Sequence, residues 1–169
     1  MGVLQSELRE SGADVRWESP DKFHATIKFL GDVEEAGLPG VLRDARSACA
    51  PHPPFVVSYQ GLGAFPALRH PKVVWIGCAN EDGTLGRIKT SLDAGLLPHG
   101  FKVEERAFRP HVTLGRVRSA RGLQHLTPRL ENLTFEPQTG TISEILVMKS
   151  VLRPQGAEYS VVTSIHLQS

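Results

Sequence analysis

The sequence predicts a mixed helix-and-strand protein assembled from two similar halves. A short motif, His-x-Thr within an apolar stretch that ends at Gly, begins at His24 and again at His111, a spacing of 87 residues. After each copy the predicted elements follow in the same order: strand, helix, strand, strand. Because the repeats of stacked arrays are about 20–50 residues long, a repeat of this length favours two pseudo-symmetric lobes.

The elements of the first half follow from apolar spacing and from turn residues. They are a helix at 3–11, an extended segment at Val15–Trp17, a strand at 23–30, a helix at 34–49, and strands at 55–59 and 72–78. Pro39 marks where the regular part of the second helix begins, because proline suits the first helical turn. The glycine-rich stretch 61–66 is predicted to be a loop between two strands.

The second half repeats this order. It is predicted to contain a helix at 84–97, a loop at 98–109 with a short strand at 101–104, a strand at His111–Val117, a helix at 121–131, and closing strands at 133–138, 141–152 and 159–166. No segment is of low complexity.

Composition and charge exclude several classes of protein. The formal net charge of +1 over 169 residues provides no global field for a long polyanion. No apolar run reaches the roughly 20 residues needed to span a bilayer, and the first residues lack the order of a secretory signal. We therefore expect a cytoplasmic protein without a membrane partner, and a monomer.

The cysteines and histidines do not form metal-binding patterns. Cys49 and Cys78 are far apart, which argues against a disulfide framework or a Cys-x-x-Cys zinc site and suggests two buried thiols. The seven histidines contain neither His-x-x-x-His nor His-Glu-x-x-His. We expect no metal and no cofactor.

In each motif, the histidine and the threonine are predicted to lie on the same face of a strand. Since side chains alternate along a strand, His24 shares a face with Thr26, and His111 shares a face with Thr113. The intervening apolar residues are predicted to face the core; they are Ala25, Ile27, Val112 and Leu114. Brought together, two imidazoles and two hydroxyls would form a site that handles phosphate.

The chemistry that suits this set is in-line displacement at phosphorus. It needs a base for the attacking water and an acid for the departing oxygen, and imidazole, with a pKa of about 6.5, serves as either. Two threonine hydroxyls can donate to the non-bridging oxygens, where charge builds up. Positioning and electrostatics suffice, so no serine or cysteine nucleophile is required.

Four further residues are candidates for substrate binding. Strict alternation puts Lys28 on the His24 face but Arg116 on the face opposite His111, so Arg116 requires a bulge near Gly115 or its own length to reach a phosphate. A cluster of arginines surrounds the second motif: Arg106, Arg109, Arg116, Arg118 and Arg121. Phe65 and Phe108 are placed to stack on a base.

Landmarks along the chain carry a family resemblance. They are Trp17, HATIKFLG from His24, LGAFP from Leu62, PKVVWIG from Pro71 and FRPHVTLGR from Phe108. In these landmarks and their order the chain resembles the two-histidine phosphoesterases, in particular the RNA 2′,3′-cyclic phosphodiesterases, also called 2′-5′ RNA ligases. The resemblance extends from about Trp17 to the end.

This resemblance implies an α+β, bilobal fold in which two antiparallel sheets form a central cleft, with residues 1–169 as one domain. It implies metal-independent hydrolysis of a terminal 2′,3′-cyclic phosphate on RNA or a nucleotide to a 2′-phosphate, an RNA 2′,3′-cyclic 3′-phosphodiesterase activity. By position, His24 is the proton donor and His111 the general base, while Thr26 and Thr113 bind phosphate. Arg116 stands where similar proteins keep an arginine.

Three alternatives remain at this point. The same histidines would support a ligase that forms 2′-5′ linkages by the reverse reaction. A binding module would hold RNA-end phosphates through the threonines and arginines without turnover. In a structural domain, His24 and His111 would be far apart or buried.

Overall fold

Four helices and seven strands make up the part of the chain that the computed structural model describes, residues 1–153 and 156–168. The helices are α1 (Gly2–Arg9), α2 (Leu38–Cys49), α3 (Thr84–Leu96) and α4 (Leu123–Asn132). The strands are β1 (Val15–Trp17), β2 (Phe55–Ala67), β3 (His70–Ala79), β4 (His111–Val117), β5 (Gln138–Ile142), β6 (Glu144–Arg153) and β7 (Gly156–His166). The predicted α+β class is confirmed. Within the described ranges, each helix is too short or too polar to cross a membrane.

The strands form two sheets. The larger has five strands in the order β1-β4-β3-β2-β5, and the smaller is the pair β6-β7. Pairing is antiparallel between β1 and β4, between β4 and β3, between β3 and β2, and between β6 and β7. The strand that carries the second motif, β4, therefore has a partner on each side.

The chain divides into two compact units, each made of three separate segments. The first unit comprises Met1–Ile27, Ser58–Ala79 and Phe108–Gly140, so both His-x-Thr motifs lie in it. Its apolar core gathers side chains from α1, α4 and the larger sheet: Leu4, Leu8, Ala64, Val74, Ile76, Val112, Leu114, Leu126 and Leu130. This core supports one face of β4 and leaves the other face for polar side chains.

The second unit comprises Lys28–Val57, Asn80–Ala107 and Thr141–Ser169. In it α2 packs against α3, and Pro39 lies in the first turn of α2, as predicted. The N-terminus of α3 is closed by loop side chains, since Asp82 accepts from the Thr84 N–H and Asn80 from the Leu85 N–H, both at 2.8 Å. Both cysteines, one in each unit, are buried and unpaired, which confirms the expectation.

The prediction of a strand at 23–30 is wrong. Within it only Ala25 pairs, through one antiparallel bridge to Val112. A 3₁₀ turn at Pro20–Lys22 leads into the bridge, and at Lys28 the chain passes into the second unit. The first motif is thus an irregular segment that touches the sheet at a single residue.

Three smaller predictions are also wrong. The stretch 61–66 is strand, because β2 continues through it after a bulge at Gly61, whose φ is 68°. The stretch 101–104 forms no strand, and 133–138 is irregular up to Gln138, where β5 begins. Glycine indicated a turn at 61–66, but at Gly63 it permits the close approach of a ring from the neighbouring strand.

Candidate active site

The second motif lies on β4 with the predicted orientation. Val112 and Leu114 are 2% and 0% exposed and face the core. His111 and Thr113 point to the opposite face and are half-buried. Since β3 pairs with β4 at both residues, Gly77 with His111 and Trp75 with Thr113, the sheet fixes the direction of these two side chains.

The bridge between Ala25 and Val112 brings the first motif against the second. Around an antiparallel bridge, His24 is the neighbour of Thr113, and Thr26 is the neighbour of His111. Directly opposed side chains of this kind begin about 4.5–5.5 Å apart. Ala25 packs on the core, and His24 and Thr26 are exposed. In this register the backbone positions of the four predicted residues are neighbours in the first unit, with each histidine opposite the other motif's threonine.

Both imidazoles are held in the same way. Nδ1 of His24 lies 2.7 Å from the carbonyl oxygen of Lys22, and Nδ1 of His111 lies 2.7 Å from that of Arg109. A carbonyl oxygen only accepts, so each Nδ1 carries the proton and donates it. In the neutral ring Nε2 then holds the lone pair, which makes Nε2 the atom that exchanges a proton.

Aromatic rings pack beside His111. The Phe65 ring meets it edge-on, with centroids 4.9 Å apart and planes at 76°, and the Trp75 centroid lies at 5.9 Å. Phe65 and Trp75 also contact each other, at 5.2 Å. Among the described residues, Trp75 Nε1 is the buried side-chain nitrogen that lacks a hydrogen-bond partner, a cost of about 1–3 kcal/mol that the fold accepts here.

Gly63 makes room for the indole, and Gly77 permits the close approach of the β2 backbone. A Cβ at Gly63 would lie 2.2 Å from Cζ2 of Trp75, so the indole lies directly over the glycine. Gly77 is opposite His111 in the β3–β4 ladder, and a Cβ there would lie 2.6 Å from the Gln60 carbonyl oxygen. The sequence signal for this packing is the Gly-x-Gly at 61–63, which by itself predicts a loop.

Of the two ways in which Arg116 could reach the His111 face, a bulge near Gly115 or the length of its side chain, the structure shows a bulge. In the β3–β4 ladder Val74 pairs with Gly115 but Trp75 pairs with Thr113, so Leu114 is an extra residue in β4. Beyond the bulge Arg116 pairs with Val73.

Val73 and Trp75 share a face, and therefore Arg116 lies on the same face as Thr113 and His111. Its Nε is 3.9 Å from Oε1 of Glu18. The structure adds Arg16, which is directly opposite Arg116 across β1 and β4. Sequence reasoning missed Arg16 because the extended segment at Val15–Trp17 had no assigned partner strand.

Lys28 and Phe108 are placed differently. The Lys28 side chain is 4% exposed, and its ammonium binds Asp93 Oδ1 and, at 3.0 Å, the Lys102 carbonyl oxygen in the second unit. Lys28 belongs to the second unit, whereas His24 belongs to the first. Phe108 is half-buried, three residues before His111. In residues 1–153 and 156–168, no three His, Cys, Asp or Glu side chains converge to hold a metal ion.

Comparison with known proteins places this chain in a family. A family model described as the 2′-5′ RNA ligase superfamily matches residues 4–152. The chain belongs to this superfamily. Among its relatives in the superfamily, the RNA 2′,3′-cyclic phosphodiesterase of Methanothermobacter thermautotrophicus is 34% identical, over 93% of this chain and 85% of that protein. The RNA 2′,3′-cyclic phosphodiesterase of Aeropyrum pernix is 31% identical, over 98% and 94%.

Solved structures share the fold of this superfamily member. A protein of Thermus thermophilus aligns with a TM-score of 0.75 at 21% identity, over 99% of this chain and 93% of that one. E. coli LigT, crystallised with 3′-AMP, aligns with a TM-score of 0.72 at 19% identity, over 100% and 94%. At these identities the likeness concerns the fold alone.

Proposed function

We propose that this chain hydrolyses the terminal 2′,3′-cyclic phosphate of RNA or of a nucleotide to a 2′-phosphate, with His24 and His111 as its acid–base pair. The single observation that carries the proposal is the crossed arrangement around the Ala25–Val112 bridge, which sets each histidine beside the other motif's threonine. Membership of the superfamily and relatives named RNA 2′,3′-cyclic phosphodiesterase support the phosphodiesterase class.

In this mechanism Nε2 of His111 takes a proton from water, and the water oxygen attacks phosphorus. The bond from phosphorus to the 3′-oxygen breaks, and Nε2 of a protonated His24 gives its proton to that oxygen. The roles follow the family resemblance, and the fixed Nδ1–H bonds support them because they leave Nε2 of each ring for proton transfer. The cycle is balanced once the two imidazoles exchange protons with water.

Thr26 and Thr113 bind the non-bridging oxygens in this proposal. The register of the Ala25–Val112 bridge puts each threonine opposite the histidine of the other motif, which supports a role for both hydroxyls as donors to the phosphate. Arg116 adds positive charge on the same face. Phe65 lies against His111 and is the aromatic residue placed to contact a base. Two proton-transfer groups suffice for this reaction, so we propose that it needs no metal or other cofactor.

The experiment that tests the proposal uses purified protein in EDTA with a 2′,3′-cyclic nucleotide and with a short RNA that ends in a cyclic phosphate. Phosphorus NMR reads the position of the product phosphate. We expect a 2′-phosphate from the wild type and its loss in both His24→Ala and His111→Ala. His125→Ala is the matched control, because His125 is an exposed histidine of the first unit, on α4.

Each alternative gives a different outcome in this experiment. Tight binding of cyclic-ended RNA without turnover would indicate a binding module. Joining of RNA ends through a 2′-5′ linkage would indicate the ligase reaction. A 3′-phosphate product would contradict the assignment of His24 as the acid for the 3′-oxygen.

We propose, further, that residues 1–169 act as one domain, since the chain alternates between the two units and neither is a continuous stretch of sequence. The protein acts as a monomer in the cytoplasm in this proposal. Sedimentation of the active protein checks the oligomeric state.

A further inference from the structure

Gln5, on α1, is a buried polar side chain without a role in the proposed chemistry. It is 3% exposed, although glutamine is ordinarily a surface residue. Its amide nitrogen Nε2 donates to two main-chain carbonyl oxygens, that of Glu18 at 2.6 Å and that of Leu114 at 2.9 Å. Its Oε1 accepts from Arg9 at 3.3 Å. Both the amide nitrogen and the amide oxygen of Gln5 are thus engaged.

Both carbonyl groups lie where the path of the chain decides the position of Arg116. Leu114 is the extra residue of the β4 bulge, and its carbonyl also accepts the Glu18 N–H at 2.9 Å. Glu18 follows the last residue of β1, and its carboxylate is the one near Arg116 Nε. Gln5 therefore holds two segments in place. One is the bulge that turns Arg116, and the other is Glu18, whose carboxylate lies near the Arg116 guanidinium.

The bulge is what brings Arg116 to the catalytic face. Without the extra residue, strict alternation would direct Arg116 toward the core side, opposite to His111 and Thr113. Bulges leave ladder groups unpaired, and a buried unpaired carbonyl costs about 1–3 kcal/mol. The Gln5 amide removes that cost at the Glu18 carbonyl, and at the Leu114 carbonyl it adds a second donor to the Glu18 N–H.

We infer that Gln5 is a positioning residue for Arg116: by donating to the carbonyls of Leu114 and Glu18, it stabilises the β4 bulge and holds the guanidinium on the face of His111 and Thr113. The inference rests on the proposed function, in which Arg116 adds positive charge on the face that binds the substrate phosphate. Gln5 itself touches neither the substrate nor the reacting atoms.

A double-mutant cycle tests this. Gln5→Met keeps the length of the side chain and removes its donors, and it is made in the wild type and in Arg116→Met. With a 2′,3′-cyclic nucleotide, we expect Gln5→Met to lower kcat/KM about tenfold in the wild type, within the about 10²-fold that a small displacement can cost. In the Arg116→Met background, Gln5→Met should cause no further loss of kcat/KM, because the guanidinium through which Gln5 acts is already absent.

The control separates positioning from general loss of stability. Ser11→Ala removes another buried hydrogen-bonding side chain in the first unit, just after α1, whose hydroxyl donates to the Leu8 carbonyl at 2.7 Å. It should lower the melting temperature and leave kcat/KM unchanged. Gln5→Asn, which keeps the amide but shortens its reach, replaces Gln5→Met if the latter does not fold. An equal loss in both Arg116 backgrounds, or no loss in the wild type, would overturn the inference.

The same cycle is run on the dissociation constant for inorganic phosphate, by calorimetry, so that the outcome does not depend on turnover. A wild type that binds phosphate but hydrolyses no cyclic substrate would contradict the proposed function, and the phosphate cycle would still decide the role of Gln5. A wild type that neither binds phosphate nor turns over would sink both proposals.

Discussion

The two His-x-Thr motifs carry the same side chains on very different backbones. The second motif lies within β4, with β3 along one edge and β1 along part of the other. The first motif meets the sheet only at Ala25, and a 3₁₀ turn at Pro20–Lys22 precedes it. Equivalent chemistry therefore does not require equivalent secondary structure.

What the motifs share is the local geometry of the histidine. In both, the ring bonds back to the carbonyl two residues before it, at 2.7 Å, and this fixes the tautomer without help from a ladder. What differs is the surroundings, since His111 packs against Phe65 and Trp75, whereas His24 is exposed. We expect β4 to be the more rigid of the two motif segments, and the first motif to be positioned by its contact with β4.

The largest loss of activity is expected from removing either histidine. His24→Ala and His111→Ala should each lower kcat by about 10²- to 10⁴-fold, because each supplies one proton transfer. Their stabilities should differ, since His24 is exposed, whereas His111→Ala loses the contacts with Phe65 and Trp75, worth about 1 kcal/mol. Urea unfolding of both variants measures the difference. Equal free energies of unfolding would show that the aromatic contacts do not distinguish the motifs.

Removing the threonine hydroxyls is the next test. Thr26→Val and Thr113→Val should each lower kcat about 10²-fold, the usual loss for one donor to a developing negative charge. Valine keeps the shape of threonine, and it suits the β4 position well. Thr141→Val, an exposed threonine of β5, provides the control. If only one of the two motif variants lost activity, the crossed arrangement would not be the working geometry.

Gly63→Ala should affect the second motif alone. The added Cβ would lie 2.2 Å from the Trp75 ring, so the indole has to move, and with it the packing beside His111. We expect a loss of kcat of up to about 10²-fold. The imidazole NMR signals of His111 should shift while those of His24 stay in place.

The control for this variant is Gly86→Ala in α3, where a Cβ meets nothing within 4 Å. It should leave activity unchanged and stabilise the protein by about 0.5–1 kcal/mol, because alanine is the better helix former. A Gly63→Ala enzyme with normal activity would mean that Trp75 does not position His111.

The sequence was sufficient where the decisive interactions are local. The helices, β1 and β4 agree with their predicted positions, and a bulge near Gly115 was one of two ways proposed for Arg116, which is out of phase with His111, to reach the His111 face. The shared face of His111 and Thr113 on β4 was predictable for the same reason, since the two residues lie two positions apart.

The sequence was insufficient where the partner is distant along the chain. Lys28 appeared to lie on the His24 face, but its counter-ion, Asp93, is 65 residues away. Gln5 and Leu114 are 109 residues apart, and no pattern in α1 indicates that a helix will fasten a bulge. Gly61 and Gly63 indicated a turn because the need for space under Trp75 exists only once β2 and β3 are paired.

Asp93 anchors the chain after the first motif. Of the substitutions considered, its replacement is expected to have the smallest effect on catalysis and the clearest effect on stability. Asp93 binds Lys28 with Oδ1 and Lys89 with Oδ2, and the side chains of the two lysines are 4% and 7% exposed. Asp93→Asn leaves both ammonium groups without this carboxylate. Unfolding should become easier by about 3 kcal/mol, the low end for a broken buried pair, since Lys89 keeps Glu104 and Lys28 keeps a carbonyl.

The contribution of Asp93 to the free energy of unfolding should depend on pH. Burial by itself would raise the pKa of the Asp93 carboxyl, but hydrogen bonds from Lys28 and Lys89 outweigh it and hold the pKa below the ordinary 3.8. The stabilisation is therefore complete above the unfolded pKa of about 3.9 and is lost as the pH falls below it. Urea unfolding between pH 7 and pH 3 should show this loss in the wild type and not in Asp93→Asn. Glu158→Gln, which breaks the exposed pair with Arg153, should unfold like the wild type throughout, because exposed pairs contribute less than about 1 kcal/mol.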